Sequence, residues 1–428
     1  MALFGFKSRL AILALTTTLA ACGDTPVRHD PPPGGIATPD AGMDFDTYVA
    51  QSRTILADRL RDLRFSPEGR PFGDYSLEEV VDMRAPNAVK PNEGRCAEET
   101  GTREQGEGVG FLLVHGLSDG PYLMTDIRDA LHDAFPCSTL HSVVLPGHGT
   151  VPGDLKKVDH DAWRATVRYG MNSFDNDIDT IIPVGYSMGA ALITRDHADI
   201  SNGRRASSLI LLAPGFAARS DMAWLTPYAR YVQSYVGTDE DRDAAKYESL
   251  AMNAAAEFHL LTAPFRDDSL PNVDIPVFMA VSSDDRTIQP DIATQFFCNK
   301  VVNPQRQMIW YQGVEPDIAN QPVCGGIDVI DSPNDTWRTL NHAHTAMTMR
   351  PENPHYGLDG RYRNCTHYEK PDLRTSCQSD SESTVYGELN LKDSATPGTL
   401  RRGTFNPDFG GMMGKMVVFI KQSLAPDA

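Results

Sequence analysis

The stretch Gly185-Tyr186-Ser187-Met188-Gly189 sets a serine between two glycines, after the apolar run TIIPV and before the alanine-rich GAALI. A strand that turns at once into a helix crowds its own backbone, so a serine displayed on that turn needs small residues two positions to either side. The helix that follows aims its first amides and its positive end at charge growing on an attacked carbonyl oxygen. The pattern therefore points to Ser187 as a nucleophile toward an acyl group. A hydroxyl needs a base for this, and the base needs an orienting partner. Downstream, TLNHAHTAM offers His342 and His344, and SSDDRTIQP offers Asp284 and Asp285. Upstream, LLVHGLSDGPY carries His115-Gly116 at the end of an apolar run, where a tight loop can aim the N–H of Leu117 at the same point as the N–H of Met188. Two amides converging on one oxygen make an oxyanion hole. His115 itself reads as a loop-holding residue. The alternating pair His342 and His344 could ligate zinc, but such a site needs a third ligand that no other cluster supplies, so neither metal nor cofactor is expected.

Positioning these groups requires strands and helices in alternation, and the chain supplies them. From Gly110 onward VGFLLVHG, HSVVLPGHG, TIIPVGYS, SSLILLAPG, IPVFMAVSS and RQMIWYQ read as strands, and Tyr122 to Ala134, His160 to Phe174 and Met188 to Asp199 read as helices. That alternation predicts an α/β fold, a mostly parallel central sheet with helices on both faces. Phe216 to Pro271 shows helical character without a strand, and Gly313 to Leu340 shows neither. MMGKMVVFIKQSL reads as the closing helix.

HGLSDGPY, LPGHGTVPGDL with Trp163 after it, and GYSMGAAL, in this order, resemble the α/β-hydrolases of the monoacylglycerol lipase, carboxylesterase and serine aminopeptidase-like group. The resemblance runs from about Gly108 to the C-terminus. It implies a helical cap inserted at about 216–271, over the active site. It implies an acid in a loop of the form G-x-x-D-x-x-V, which sets Ser282 at the glycine, Asp285 at the acid and Ile288 at the apolar position, with Asp284 as a solvated alternative. In chain order the histidine follows the acid. Relatives with this kind of tail carry a Ser-His pair shortly before a P-x-Y-G turn, and counting back from Pro354 in NPHYG gives His344, with Ala343 in the serine's place. His342, two residues away, would point the same way in an extended segment, and His355 in the turn reads as structural. The implied activity is hydrolysis of carboxylic esters, short to medium acyl esters or lipid monoesters, through an acyl-enzyme. A peptidase using the same triad is the rival, favoured if Glu240, Asp241 or Glu248 in the cap binds a substrate amine. A non-enzymatic envelope binding protein on the same fold is the other.

The interval from Asp285 to His344 is long for this group, because GVEPDIANQPVCGGIDVIDSPNDTW intervenes, and 355–407 is again loop-rich. The N-terminus, MALFGFKSRLAILALTTTLAACGD, has a basic start and an apolar run of about a dozen residues, short of the roughly 20 that span a bilayer, and so reads as an export signal over 1–21. Its end, LAAC, resembles a bacterial lipobox, which implies lipidation of Cys22 and a lipid-anchored protein of the bacterial cell envelope, on the periplasmic side or outer surface. The Pro- and Gly-rich 22–44 reads as a flexible tether, and 45–108 as an extension opened by an amphipathic helix from Phe45 to Leu63, ahead of the hydrolase domain at 109–428. Six cysteines besides Cys22 suit an exported protein with disulfides. Nearest-neighbour pairing would join Cys365 to Cys377, Cys298 to Cys324 and Cys96 to Cys137. A formal charge of −18 over 428 residues argues against a nucleic-acid partner, leaving a small-molecule or lipid acyl ester as the expected substrate.

Overall fold

A computed structural model describes residues 28–62, 72, 75–98, 105–199, 203–313, 323–389 and 395–425. The expected export signal and Cys22 lie outside them. Twelve strands are present among the described residues: β1 (Asn87–Val89), β2 (Val109–Val114), β3 (Thr139–Val143), β4 (Thr180–Tyr186), β5 (Leu209–Leu212), β6 (Tyr235–Gly237), β7 (Leu250–Ala251), β8 (Val277–Ser282), β9 (Arg306–Gln312), β10 (Ile327–Asp331), β11 (Val385–Gly387) and β12 (Leu400–Arg402). Eight form one sheet in the order β1-β3-β2-β4-β5-β8-β9-β10. Only β1, at the edge, runs antiparallel in it. The central strands β2, β5 and β8 are buried at every position. Helices cover both faces of a parallel sheet, so its strands need apolar side chains on both sides.

Register places the chemistry. Val114 at the end of β2 lies beside Gly185, and Tyr186 at the end of β4 lies beside Leu212. The loop after β2 and the turn after β4 therefore leave the sheet side by side. Helix Met188–Ala198 starts directly after Ser187 and packs back on β4.

Three expectations are corrected. The stretch Phe216 to Pro271 does contain strands, the short antiparallel pair β6 and β7, beside the helix Met252–Leu261. The insertion from Gly313 to Leu340 contributes β10, which extends the main sheet in parallel with β9. The flexible tether expected over 22–44 is packed from Arg28 onward: Ile36 is buried, and His29 lies within hydrogen-bonding distance of Asp241 and Ser249. The helix after it, Phe45–Asp62, docks by stacking Phe45 on His141 at 3.8 Å between ring centres, while the Tyr48 hydroxyl bridges the Val144 backbone.

Disulfides join Cys96 to Cys137, Cys298 to Cys324 and Cys365 to Cys377. The closing helix is Phe409–Leu424.

Candidate active site

Ser187 sits at the turn from β4 into helix Met188–Ala198 with φ of 53° and ψ of −119°. That conformation is rare for a residue with a Cβ and is retained only where the surroundings enforce it. The flanking glycines answer to crowding. A Cβ on Gly185 would come within 2.5 Å of the Ala190 nitrogen, and one on Gly189 within 2.1 Å of the Val114 carbonyl oxygen. The turn thus holds the Ser187 hydroxyl away from the sheet.

The histidine loop meets it there. His344 Nε2 is 2.9 Å from Ser187 Oγ, and His344 Nδ1 is 2.6 Å from Asp285 Oδ2. The other carboxylate oxygen of Asp285 accepts from the Thr287 and Ile288 amides at 2.8 and 2.9 Å. Asp285 is fully buried, and Ser187 and His344 are 6% and 4% exposed. Serine, imidazole and carboxylate thus form one hydrogen-bonded chain, with the Nδ1 proton held by the acid and Nε2 left to accept from the hydroxyl.

The alternatives lie elsewhere. His342 is 1% exposed, its ring nitrogens engaged by Ser332 and Asn406 and its face stacked on Tyr311. Burial pushes its pKa down to about 4, so it is neutral near pH 7. Asp284 is not solvated as expected but 1% exposed, its carboxylate directed toward Gly313. His355 ties the stretch expected as the cap to the N-terminal extension: Nε2 is 2.9 Å from Asp243 Oδ1, and Nδ1 is 2.8 Å from the Tyr75 hydroxyl. Ser282, in place of a glycine, donates to the His342 carbonyl at 2.7 Å and so ties the acid loop to the histidine loop.

On the opposite side, a Cβ on Gly116 would lie 3.0 Å from the Ser187 Cβ, so the loop after β2 overhangs Ser187. Among the described residues, neither the Leu117 nor the Met188 amide donates to a protein acceptor. Two unpaired donors beside a serine hydroxyl can receive an oxyanion. His115 holds the loop from below: its Nε2 accepts from the Leu145 amide, which puts its proton on Nδ1, 2.8 Å from the Gly116 carbonyl. Burial depresses its pKa to about 4, which preserves this neutral tautomer.

Several supporting groups had little signal in the sequence. His148, in LPGHG, accepts from the Ser118 amide at 3.1 Å and fixes the loop from its other side. Glu388 and Arg402, from a region that reads as loop, form a buried pair. Glu388 Oε2 accepts from the His344 amide at 3.2 Å, and Arg402 spans Glu388 and the Thr287 hydroxyl. Asp119 is 6% exposed, and its carboxylate accepts no hydrogen bond among the described residues. A Cβ on Gly116 would come within 2.4 Å of Asp119 Oδ2, so this carboxylate lies above the same loop as Ser187. Burial pushes its pKa up to about 6. By contrast the cap acids are occupied: Glu240 pairs with Arg242, Asp241 with His29 and Ser249, and Glu248 accepts from the Tyr362 hydroxyl.

Residues 111–312 match the model of a family described as the alpha/beta hydrolase family. The domain has the α/β-hydrolase fold. The match takes in Ser187 and Asp285, whereas His344 and its Glu388–Arg402 support come from sequence beyond it. No curated protein sequence matches the chain. Among solved structures, one reported for LipS and LipT, two metagenome-derived lipolytic enzymes, is 17% identical, with a TM-score of 0.44 over 53% of this chain and 87% of that one. A soluble variant of the monoglyceride lipase from Saccharomyces cerevisiae is 13% identical, with a TM-score of 0.43 over 54% and 82%. The Paleococcus ferrophilus monoacylglycerol lipase is 14% identical, with a TM-score of 0.40 over 53% and 88%.

Proposed function

We propose that this α/β-hydrolase is a serine esterase, cleaving carboxylic esters of short to medium acyl chains or lipid monoesters. The observation that carries the reading is the continuous hydrogen-bonded chain Ser187, His344, Asp285 facing two unpaired amides. In the reaction Ser187 Oγ attacks the acyl carbonyl as His344 Nε2 takes its proton, and Asp285 holds the resulting imidazolium. The Leu117 and Met188 amides receive the oxyanion. Its collapse expels the alcohol with the proton from His344, leaving an acyl-Ser187 that a water molecule, activated by the same histidine, hydrolyses. The peptidase reading called for a cap acid free to bind an amine. Glu240, Asp241 and Glu248 all have protein partners, which favours esters. On the lipobox-like LAAC we further propose that the enzyme is anchored through Cys22 in the bacterial envelope.

The test is labelling by a fluorophosphonate, together with turnover of p-nitrophenyl esters of graded chain length and of aminoacyl anilides. Labelling and ester turnover that both vanish in Ser187→Ala are expected. An unlabelled wild-type protein would favour the binding-protein reading, and anilides turned over faster than esters would favour the peptidase.

A further inference from the structure

Large apolar side chains on a soluble surface are usually scattered singly, but on the cap they are concentrated in one run. Met222, Trp224, Tyr228, Tyr231 and Val232 are 66, 58, 71, 78 and 90% exposed, and Val236 is 50% exposed. Successive helical turns connect them: Leu225 N bonds to Met222 O, Arg230 N to Thr226 O and Val232 N to Ala229 O. Residues three and four apart share a face of such turns, so Trp224, Tyr228, Tyr231 and Val232 point together. The other side is spoken for, since Arg230 pairs with Glu257 on helix Met252–Leu261. Tryptophan and tyrosine among aliphatic residues is the composition of a surface that sits at a membrane–water boundary.

The entry of the chain into the fold lies beside this face. Arg28 Nη1 donates to the Glu240 carbonyl at 2.7 Å, and the Tyr235 hydroxyl donates to the His29 carbonyl at 2.6 Å. The His29 ring lies 3.3 Å from Asp241 and 3.1 Å from Ser249. The N-terminal segment is thus latched onto the β6–β7 hairpin, one residue from Val236. Five residues lie between Cys22 and Arg28, so the six chain steps reach at most about 20 Å. An acyl chain on Cys22, which rests on the anchoring proposed above, would therefore enter a bilayer close to the exposed run.

We infer that the cap face formed by Met222, Trp224, Tyr228, Tyr231, Val232 and Val236 lies against the lipid bilayer, and that the latch at Arg28 and His29 sets that orientation. The same cap segment continues to Tyr247, whose amide donates to the Ser118 carbonyl in the oxyanion loop at 2.8 Å. The element facing lipid is thus continuous with a wall of the active site, so an acyl ester leaving the bilayer would meet the enzyme at its cap.

The test uses the mature chain with Cys22→Ser, so that no acyl chain contributes. Its binding to phosphatidylethanolamine–phosphatidylglycerol vesicles is followed by co-sedimentation and by quenching of tryptophan with acyl-brominated lipid. Sedimentation with the vesicles is expected. Trp224→Ala with Tyr228→Ala and Val232→Ser should reduce the bound fraction at least tenfold, abolish the quenching and leave turnover of a soluble p-nitrophenyl ester unchanged. Wild-type residues at these positions with no sedimentation and no quenching would overturn the inference. So would a concentration-dependent dimer that the triple variant abolishes, because a second copy would then cover the face. The mass of the N-terminal peptide from the wild type reports Cys22 acylation separately: an unmodified peptide removes the anchor and leaves vesicle binding by the face to stand or fall alone.

Discussion

Two histidines two residues apart have opposite surroundings. In an extended strand His342 and His344 would share a side, and a choice between them by spacing alone has no physical basis. The chain breaks that symmetry at Ala343, which is extended, and then enters a short 3-10 turn from His344 to Ala346. The turn swings His344 to Ser187 and leaves His342 stacked on Tyr311. His344→Ala is expected to lower kcat by about 10⁶ in a protein that still folds. His342→Ala should retain turnover and lose about 1–3 kcal/mol of stability, as Ser332 and Asn406 are left unpaired; circular dichroism melts beside esterase rates separate the two. Asp119 carries a pH signature of its own. Its folded pKa, about 6, is above the usual carboxylate value, so the folded state holds the proton more tightly and the group's contribution falls as pH rises through 6. Asp119→Asn should match the wild type near pH 4 and exceed it at pH 8 by up to about 3 kcal/mol, measured by urea unfolding at the two pH values. No composition or periodicity marks this residue in HGLSDGPY, because its character comes from burial beside a loop that only the fold creates.

At the scale of elements, what could be read beforehand follows from how strands are covered. β2, β4, β5, β8 and β9 are flanked by helices or other strands, so each appears as a run of apolar residues and was legible. β10 was not, because it is a sheet edge with half-exposed residues and carries Asp328 and Asp331 in its five positions. β6 and β7 are three and two residues long, too short to show a period. The region 355–407 is organised by polar contacts, which leave no periodic trace at all. Its parallel pair β11 and β12 aligns Gly387 with Arg402 and so brings Glu388 to Arg402, beneath the amide of His344. Reading the stretch as loop missed the helix Pro371–Gln378 and the pair β11 and β12, and with them its part in holding the histidine. Arg402→Met leaves Glu388, fully buried, without a counter-charge, and removing one member of a buried pair costs about 3–5 kcal/mol. A fall in denaturation midpoint of that order is expected. Arg402→Met with Glu388→Gln should recover part of it, because the amide can still accept from His344 N–H without carrying charge.

The three disulfides distribute this support over the whole molecule. Cys96–Cys137 fastens the N-terminal extension near the start of β3, Cys298–Cys324 fastens the helix Pro290–Asn299 to the segment before β10, and Cys365–Cys377 closes the stretch that leads to β12. Cross-links restrict the unfolded chain more when they close longer loops, so separations of 41 and 12 residues differ in expected stabilisation by only about 1 kcal/mol, within a typical 2–4 kcal/mol each. By stability alone, the paired serine variants at Cys96 and Cys137 should lose slightly more than those at Cys365 and Cys377. Activity should rank them the other way. The Cys377 carbonyl accepts from Arg401 Nε at 2.9 Å, and Arg401 is the immediate neighbour of the arginine that braces Glu388 under His344. Loosening that corner lets Arg402 and Glu388 drift, and with them the histidine backbone. The Cys365→Ser and Cys377→Ser double variant is therefore expected to lose at least tenfold in kcat at a temperature where it remains folded, with the Cys96–Cys137 counterpart close to the wild type. Equal kcat in the two folded variants would mean that the histidine loop keeps its place without the C-terminal stretch.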